Sequence, residues 1–193
     1  MVTFMPNTMS TLYSLAEAQA GYFTTSQAAR VGVSRRVLAQ RAQRGDVQQI
    51  RYGLYRLRDF PAHAFEDVSA VCLWAGPDSA ASHETALAIH GISDAMPATI
   101  HITVPRAFRG KQAGVTIHRA PLPDDQREVR DGVPTTTIAR TLQDVGASSD
   151  PSLVQQAVQQ AITRGVLSRR QVRALARQSP QLAPYVVDAL TDE

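Results

Sequence analysis

Residues 23–57 read FTTSQAARVGVSRRVLAQRAQRGDVQQIRYGLYRL, and start and stop signals for two short helices and a hairpin follow one another through them. Thr24 is a good N-cap, and Gln27 three residues later completes a reciprocal capping box, so a helix is predicted from Thr25 to Val31. Phe23, just before the cap, is placed to staple onto the apolar residues beyond it. Gly32 provides the sharp stop, and Ser34 then caps a further helix from Arg35 to about Arg44, ended by Gly45. The spacing Ala28…Gly32…Leu38 is what two packed helices need: a small residue where they approach, a glycine at the turn, and an apolar plug from the second helix. At about 100° per residue, Leu38 and Ala42 face inward. Arg36, Gln40, Gln43 and Arg44 then project from the opposite side, with Arg35 in the first turn.

Working outward, residues 47–57 (VQQIRYGLYRL) alternate apolar and polar side chains about Tyr52-Gly53, the pattern of a β-hairpin with a glycine turn. Upstream, Leu12, Leu15 and Ala16 fit one face of a first helix stopped by Gly21. Three helices followed by a hairpin predict a winged helix-turn-helix over residues 1–60. The exposed face of its third helix suits a major groove, where Arg pairs with guanine and Gln with adenine. Arg51, Tyr52 and Arg56 lie in or near the wing, placed for phosphates or a minor groove. The expected DNA-contacting set is therefore Ser34, Arg35, Arg36, Gln40, Gln43, Arg44, Arg51, Tyr52 and Arg56. A merely solvated basic face is the plainer alternative, and the adjoining wing of the same sign argues against it.

Charge placement agrees. The net charge is only +3, but residues 1–60 hold eight arginines (30, 35, 36, 41, 44, 51, 56 and 58) against Glu17, Asp46 and Asp59, and the remainder is slightly acidic. A basic segment joined to a mildly acidic body points one end of the chain at a polyanion. Lys111 is the single lysine, so arginine usage itself carries little meaning. Hydrophobic residues make up 44% and charged residues 19%, ordinary for a globular protein, and no apolar run is long enough to span a bilayer. The opening MVTFMPNTMS has no basic residue ahead of an apolar core and does not read as a signal peptide; Met5 and Met9 leave the start codon open. Cys72, the single cysteine, sits in an apolar stretch and reads as a small buried hydrophobe. Together these features predict a cytoplasmic location.

Beyond a domain edge expected near residues 58–64, the remainder (61–193) reads as a mixed α/β domain with a helical C-terminal end, giving an α+β chain overall. Helices are predicted over 65–74, over 82–91 between Ser82 and Gly91, from Thr135 to Val145, over 151–164 and over 168–178. Ser168 and Gln171 form a second capping box. Strands are predicted over 98–104 and 115–119, with a basic loop from Arg106 to Gly114 between them and a turn at Gly132-Val133-Pro134. The run Gly165-Val166-Leu167-Ser168-Arg169-Arg170 echoes Gly32-Val33-Ser34-Arg35-Arg36, by shared helix-entry chemistry or as a second DNA-binding unit. Arg169, Arg173 and Arg177 fall at four-residue spacing, a stripe open to DNA, an acidic partner or water.

No reaction presents itself. His83-Glu84 opens like a zinc-protease helix, but the second histidine that motif needs is replaced by Leu87. His101 and His118 lie on the polar phase of two strands and are candidate neighbours with no carboxylate companion evident from sequence. Asp124, Asp125, Glu128 and Asp131 cluster in what reads as a solvated loop. There is no Walker phosphate loop and no glycine-flanked serine nucleophile, so neither enzyme activity, metal nor cofactor is expected.

The segment quoted above, together with SHETALAIHGI (82–92) and DGVPTTTIARTLQDV (131–145), resembles the AbiEi-type antitoxins of bacterial abortive-infection (type IV) toxin–antitoxin systems. The resemblance covers nearly the whole chain, and three blocks in order are more specific than the N-terminal motif alone. It implies a winged helix that binds inverted repeats in the promoter of its own operon and represses it, with copies pairing on the repeats. It also implies a C-terminal domain that counteracts a nucleotidyltransferase-like toxin, an antagonism typically described in the family without a stable complex. Read from the residues alone, a winged-helix regulator whose C-terminal domain senses a ligand or dimerises, without a toxin, stands beside it.

Overall fold

A computed structural model describes residues 8–191; the segment holding Met5 lies outside the described residues. The chain divides into two compact units, one running to Pro77 and including Asp131–Val133, the other formed by Asp78–Arg130 and the residues from Pro134 on.

The first unit contains α1 (Thr8–Glu17), β1 (Tyr22–Thr24), α2 (Thr25–Arg30), α3 (Arg35–Arg44), β2 (Val47–Arg51), β3 (Leu54–Leu57) and α4 (Glu66–Ala75). Local chemistry sets the helix ends. Thr24 Oγ1 accepts from the Gln27 N–H at 3.1 Å and Gln27 Oε1 accepts from the Thr24 N–H at 2.8 Å, so the expected capping box is present in full. Gly32, at φ +84°, makes the turn between α2 and α3 in the left-handed region, where any other side chain is strained. Leu12, Ala16, Phe23, Ala28, Val33, Leu38, Val47 and Leu57 form the core beneath the helices.

The hairpin is part of a three-stranded antiparallel sheet in the order β1-β3-β2. The strand β1 was not foreseen: Phe23, expected as a helix staple, pairs with Tyr55 across the sheet and stacks on its ring at 5.8 Å. The domain edge expected near 58–64 falls inside this unit. Burial explains why, since Ala70 of α4 packs with Ala20, Tyr22 and Leu54, with Leu73 against them, and Ser69 Oγ donates to the Gln19 carbonyl at 3.1 Å. The helix α4 is thus the fourth helix of the winged module, and the division comes at 77/78.

The second unit contains β4 (Ala80–Ala81), α5 (His83–His90), β5 (Ile100–Val104), β6 (Val115–Arg119), β7 (Arg127–Arg130), β8 (Val133–Thr136), α6 (Ile138–Ser148), α7 (Pro151–Thr163), α8 (Arg169–Gln178) and α9 (Ala183–Thr191). Its strands form one mixed sheet in the order β6-β5-β4-β8-β7. The expected pair β5 and β6 run parallel in register, Ile102 beside Ile117, and the basic loop carries the chain back between them. Val133 and Pro134 belong to β8 rather than to a turn, because Thr135 pairs with Ala81; the reversal is made by Asp131 and Gly132 at φ +50° and +75°. Glu128 likewise sits in a strand, not in the loop expected for it. The helical end buries Leu87, Leu142, Val145, Val154, Val158, Val172 and Leu182 in a core of its own.

Candidate nucleic-acid interface

The candidate interface is built on α3. Leu38 is fully buried and Ala42 half-buried, which fixes the helix by its inner face. Arg35, Arg36, Gln40, Gln43 and Arg44 are all exposed, as the periodicity requires. Arg41 is set apart from them: its guanidinium pairs with Asp46 at 2.6 Å and ties the end of α3 to the following turn. Ser34 is exposed, but its hydroxyl is the helix cap, accepting from the Val37 N–H at 3.3 Å. Its place at the interface is therefore that of a scaffold for Arg35 and Arg36.

The wing is held beside this helix by its backbone. The Thr25 N–H donates to the Gly53 carbonyl at 2.9 Å, so the hairpin tip is fastened to the start of α2. A groove results, lined by Thr24, Ser26, Arg35, Gln49, Tyr52 and Tyr55. Tyr52 is 89% exposed at the tip, an amphipathic ring standing in solvent with the helix face on one side. Ser26 and Gln49 were missed from sequence; the register that sets Gln49 opposite Tyr55 is the signal that places it here.

The two wing arginines behave differently. Arg51 is half-exposed and its guanidinium stands 5.6 Å from the centroid of the Trp74 ring on α4. Arg56 is engaged within its own unit. It pairs with Glu66 at 2.8 Å, donates to the Phe60 and Pro61 carbonyls, and lies over the Tyr22 ring, with only 14% of its side chain exposed. Arg56 thus fastens the hairpin to α4.

Residues 10–58 match the sequence model of a family described as transcriptional regulator, AbiEi antitoxin. The N-terminal region matches the AbiEi antitoxins. The match spans α1 through the hairpin, so it covers α3, the wing and their shared core. Among solved structures, the chain is similar to the RV2827C protein from Mycobacterium tuberculosis, with a TM-score of 0.55 at 17% identity over 96% of this chain and 78% of that one. That likeness is one of fold. No curated protein sequence matches the chain.

In the second unit, the blocks SHETALAIHGI and DGVPTTTIARTLQDV that carry the wider resemblance to AbiEi antitoxins form α5, β8 and α6. Buried threonines join the last two: Thr141 Oγ1 bonds Thr136 Oγ1 at 2.7 Å and donates to the Thr137 carbonyl at 2.9 Å. His90 closes α5 with its Nε2 2.8 Å from the Thr136 carbonyl, so Nε2 carries the proton. Arg140 bonds Asp144, Gln126 and the Pro121 carbonyl. These residues serve the architecture.

His101 and His118 are neighbours, as the strand phase anticipated, with Nδ1 of the first 3.2 Å from Nε2 of the second. His83 joins them from the start of α5, stacked on His118 at 3.5 Å between ring centroids. Burial, and then the neighbouring imidazoles, push His83 down to about 3; burial and His101 push His118 to about 4. The three rings are thus neutral, His83 and His118 lying face to face and His101 tilted by 35° from His83. Parallel stacked rings do not converge their nitrogen lone pairs on one point, and among the described residues no group of three His, Cys, Asp or Glu is arranged to hold a metal ion.

Proposed function

We propose that this chain is an antitoxin and transcriptional repressor of its own operon, whose winged helix reads promoter DNA and whose second unit counteracts a nucleotidyltransferase-like toxin. The observation that carries the reading is the exposed face of α3, where Arg36, Gln40, Gln43 and Arg44 stand clear of a buried Leu38 beside a solvent-exposed wing tip. Its supports are the family match over that region and the block resemblance of the second unit. In this reading Arg36, Gln40 and Arg44 meet base edges, while Arg35, Arg51 and Tyr52 grip the backbone on either side. Copies of the chain sit on the two halves of an inverted repeat, and the protein acts in the cytoplasm. No helix among the described residues is long and apolar enough to cross a membrane, which is compatible with that location.

The test separates the two jobs. Purified full-length chain is titrated onto a duplex from upstream of its own gene and onto an unrelated duplex, across a range of salt. Binding weakens steeply with salt, and the upstream duplex is preferred. The triple change Arg36→Ala, Gln40→Ala, Arg44→Ala removes the preference, each good bidentate contact accounting for about 1–3 kcal/mol of discrimination. In cells the same variant releases the operon from repression yet still protects against the product of the neighbouring gene. A variant that keeps its promoter preference refutes the assigned surface; a neighbouring gene product that is harmless without this chain refutes the antitoxin role.

A further inference from the structure

The two edges of the second unit's sheet are built differently. One edge is β7, where Arg127, Glu128 and Arg130 make three of the four residues charged. Charge along an exposed edge is the ordinary protection against pairing with another chain. The other edge is β6, whose Val115, Thr116 and Ile117 are strong strand formers, with no proline, glycine or charge among them. Its register with β5 runs unbroken from Val115 to Arg119, so no bulge turns the edge aside. The hydrogen bonds fix which backbone groups are spare. The Ile100 N–H donates to the Gly114 carbonyl at 2.9 Å, and the Ala120 N–H donates to the Val104 carbonyl at 3.2 Å. In a parallel ladder of this register, Thr116 and His118 bond β5, and Val115, Ile117 and Arg119 direct their N–H and C=O groups outward. The Val115 N–H turns back to the Gln112 carbonyl at 3.3 Å, and among the described residues no strand pairs with the rest of that side.

The side chains around this edge select a partner. Val115 and Ile117 are half-buried on one face, and with Lys111, Gln112 and Arg119 they line a shallow groove of about 330 Å³. Arg106, Arg109, Lys111 and Arg119 are all exposed, and residues 105–120 contain no acidic side chain. No ion pair among the described residues involves any of the four. A second copy of the chain on this edge would set two basic groups of side chains against each other. A phosphate backbone offers acceptors only, and would leave the outward carbonyls of Val115 and Ile117 unmet beside aliphatic side chains. An extended peptide answers every feature. Its backbone takes the alternating donors and acceptors, its aliphatic side chains cover Val115 and Ile117, and its carboxylates meet the cations.

We propose that the outer edge of β6 is a docking site for an extended acidic segment of a partner protein, which joins the five-stranded sheet as an added strand and sets carboxylates beside Lys111 and Arg119. This docking is independent of DNA binding by the first unit. Full-length chain is titrated into the fluorescein-labelled peptide ETVTVTE and followed by anisotropy, with KTVTVTK as the control. The acidic peptide binds and the basic one does not. Ile117→Pro is the decisive variant, because the N–H it removes points away from β5, and an edge strand accommodates proline at such a position. Its thermal midpoint stays near the parent's, while its affinity for ETVTVTE falls at least about 10-fold, since the added strand loses a backbone donor and meets the ring. The double charge reversal Lys111→Glu, Arg119→Glu loses ETVTVTE and gains KTVTVTK, an exchange that damage to the fold does not produce. Amide exchange of the parent chain reads the same contact. The Ile117 and Arg119 amides exchange quickly in the free chain and are protected by ETVTVTE, whereas those of Thr116 and His118 are protected throughout.

A parent chain that leaves ETVTVTE free, or that holds both peptides alike, overturns the proposal, and the cations about β6 are then protection for the edge. Equal affinity for ETVTVTE in the parent and in a folded Ile117→Pro chain overturns it as well, since the backbone edge is then not used. Self-association of the parent that Ile117→Pro abolishes, without peptide binding, overturns it in favour of a second copy. Binding to duplex DNA that survives Ile117→Pro and is lost on charge reversal, again without peptide binding, overturns it in favour of nucleic acid.

Discussion

Tyr52 and Arg56 lie four residues apart in the hairpin, and their surroundings assign them opposite work. The tyrosine ring is held in water at the tip, at 89% exposure, while the arginine is enclosed by Glu66, two carbonyls and the Tyr22 ring. Arg56→Ala is therefore expected to cost about 1–2 kcal/mol of stability in urea denaturation, because Glu66 and the carbonyls lose a charged partner in a partly buried setting. Its DNA affinity, measured where the variant is fully folded, stays within about two-fold of the parent's. Tyr52→Ala reverses the pattern: stability changes by less than about 0.5 kcal/mol, and affinity falls by about 1 kcal/mol on every duplex alike. An Arg56→Ala chain that stays fully stable but no longer binds DNA would return the residue to the interface. From sequence the two positions looked equivalent. The partner that tells them apart, Glu66, lies beyond the hairpin and outside the motif that drew attention to it.

Elements whose ends are written in their own residues were legible in advance. Thr24 with Gln27, Ser34, Gly45 and Ser168 with Gln171 mark helix ends through bonds that span three or four residues, and the structure places α2, α3 and α8 accordingly. Elements defined by a distant partner were not. The three residues of β1 are a strand because Leu54–Arg56 lie beside them, and the two residues of β4 because Ile102, Thr103 and Thr135 do. Val133-Pro134 carries turn chemistry and becomes a strand through its neighbours. The helix α4 was visible as a helix, but its allegiance depended on Tyr22 and Leu54, which no local pattern reveals. The turn between α2 and α3 gives this contrast a measurable form. Gly32→Ala places a Cβ at φ +84° and brings it within 3.3 Å of the Thr8 methyl group, so it should destabilise the first unit by about 1–2 kcal/mol. Thermal unfolding followed through Trp74 of α4 reports it directly, and an unchanged midpoint would mean that the turn relaxes to another conformation.

The proposed reading face is spread along one helix, but three of the second unit's histidines are gathered at one place, and they make the stability of the molecule depend on acid. Burial holds His83, His101 and His118 below the ordinary imidazole range; neighbouring imidazoles and Arg140 add to it at His83, His101 adds to it at His118, and Glu84 pulls His101 the other way. His83 also takes φ +52°, a left-handed backbone that a histidine adopts only when the surroundings enforce it. When the chain unfolds, each ring returns to about 6.5 and takes up a proton that the folded state refuses. The contribution is therefore complete above about pH 6.5 and declines as the pH falls towards the folded values near 4 and 3. Each ring steepens the loss by up to about 1.4 kcal/mol per pH unit in that window. Asp144, raised by burial despite its bond to Arg140, acts in the opposite sense, though only near the ordinary carboxylate range and above it. Urea denaturation followed by circular dichroism should show stability falling from pH 6.5 to pH 4.5, and His118→Phe, which keeps a stacked ring but no proton site, should flatten that decline. Imidazole resonances of the folded chain provide the direct check: His83 and His118 should remain neutral at pH 5.5, and titration of either near 6.5 would show that the stacked cluster does not exist in solution.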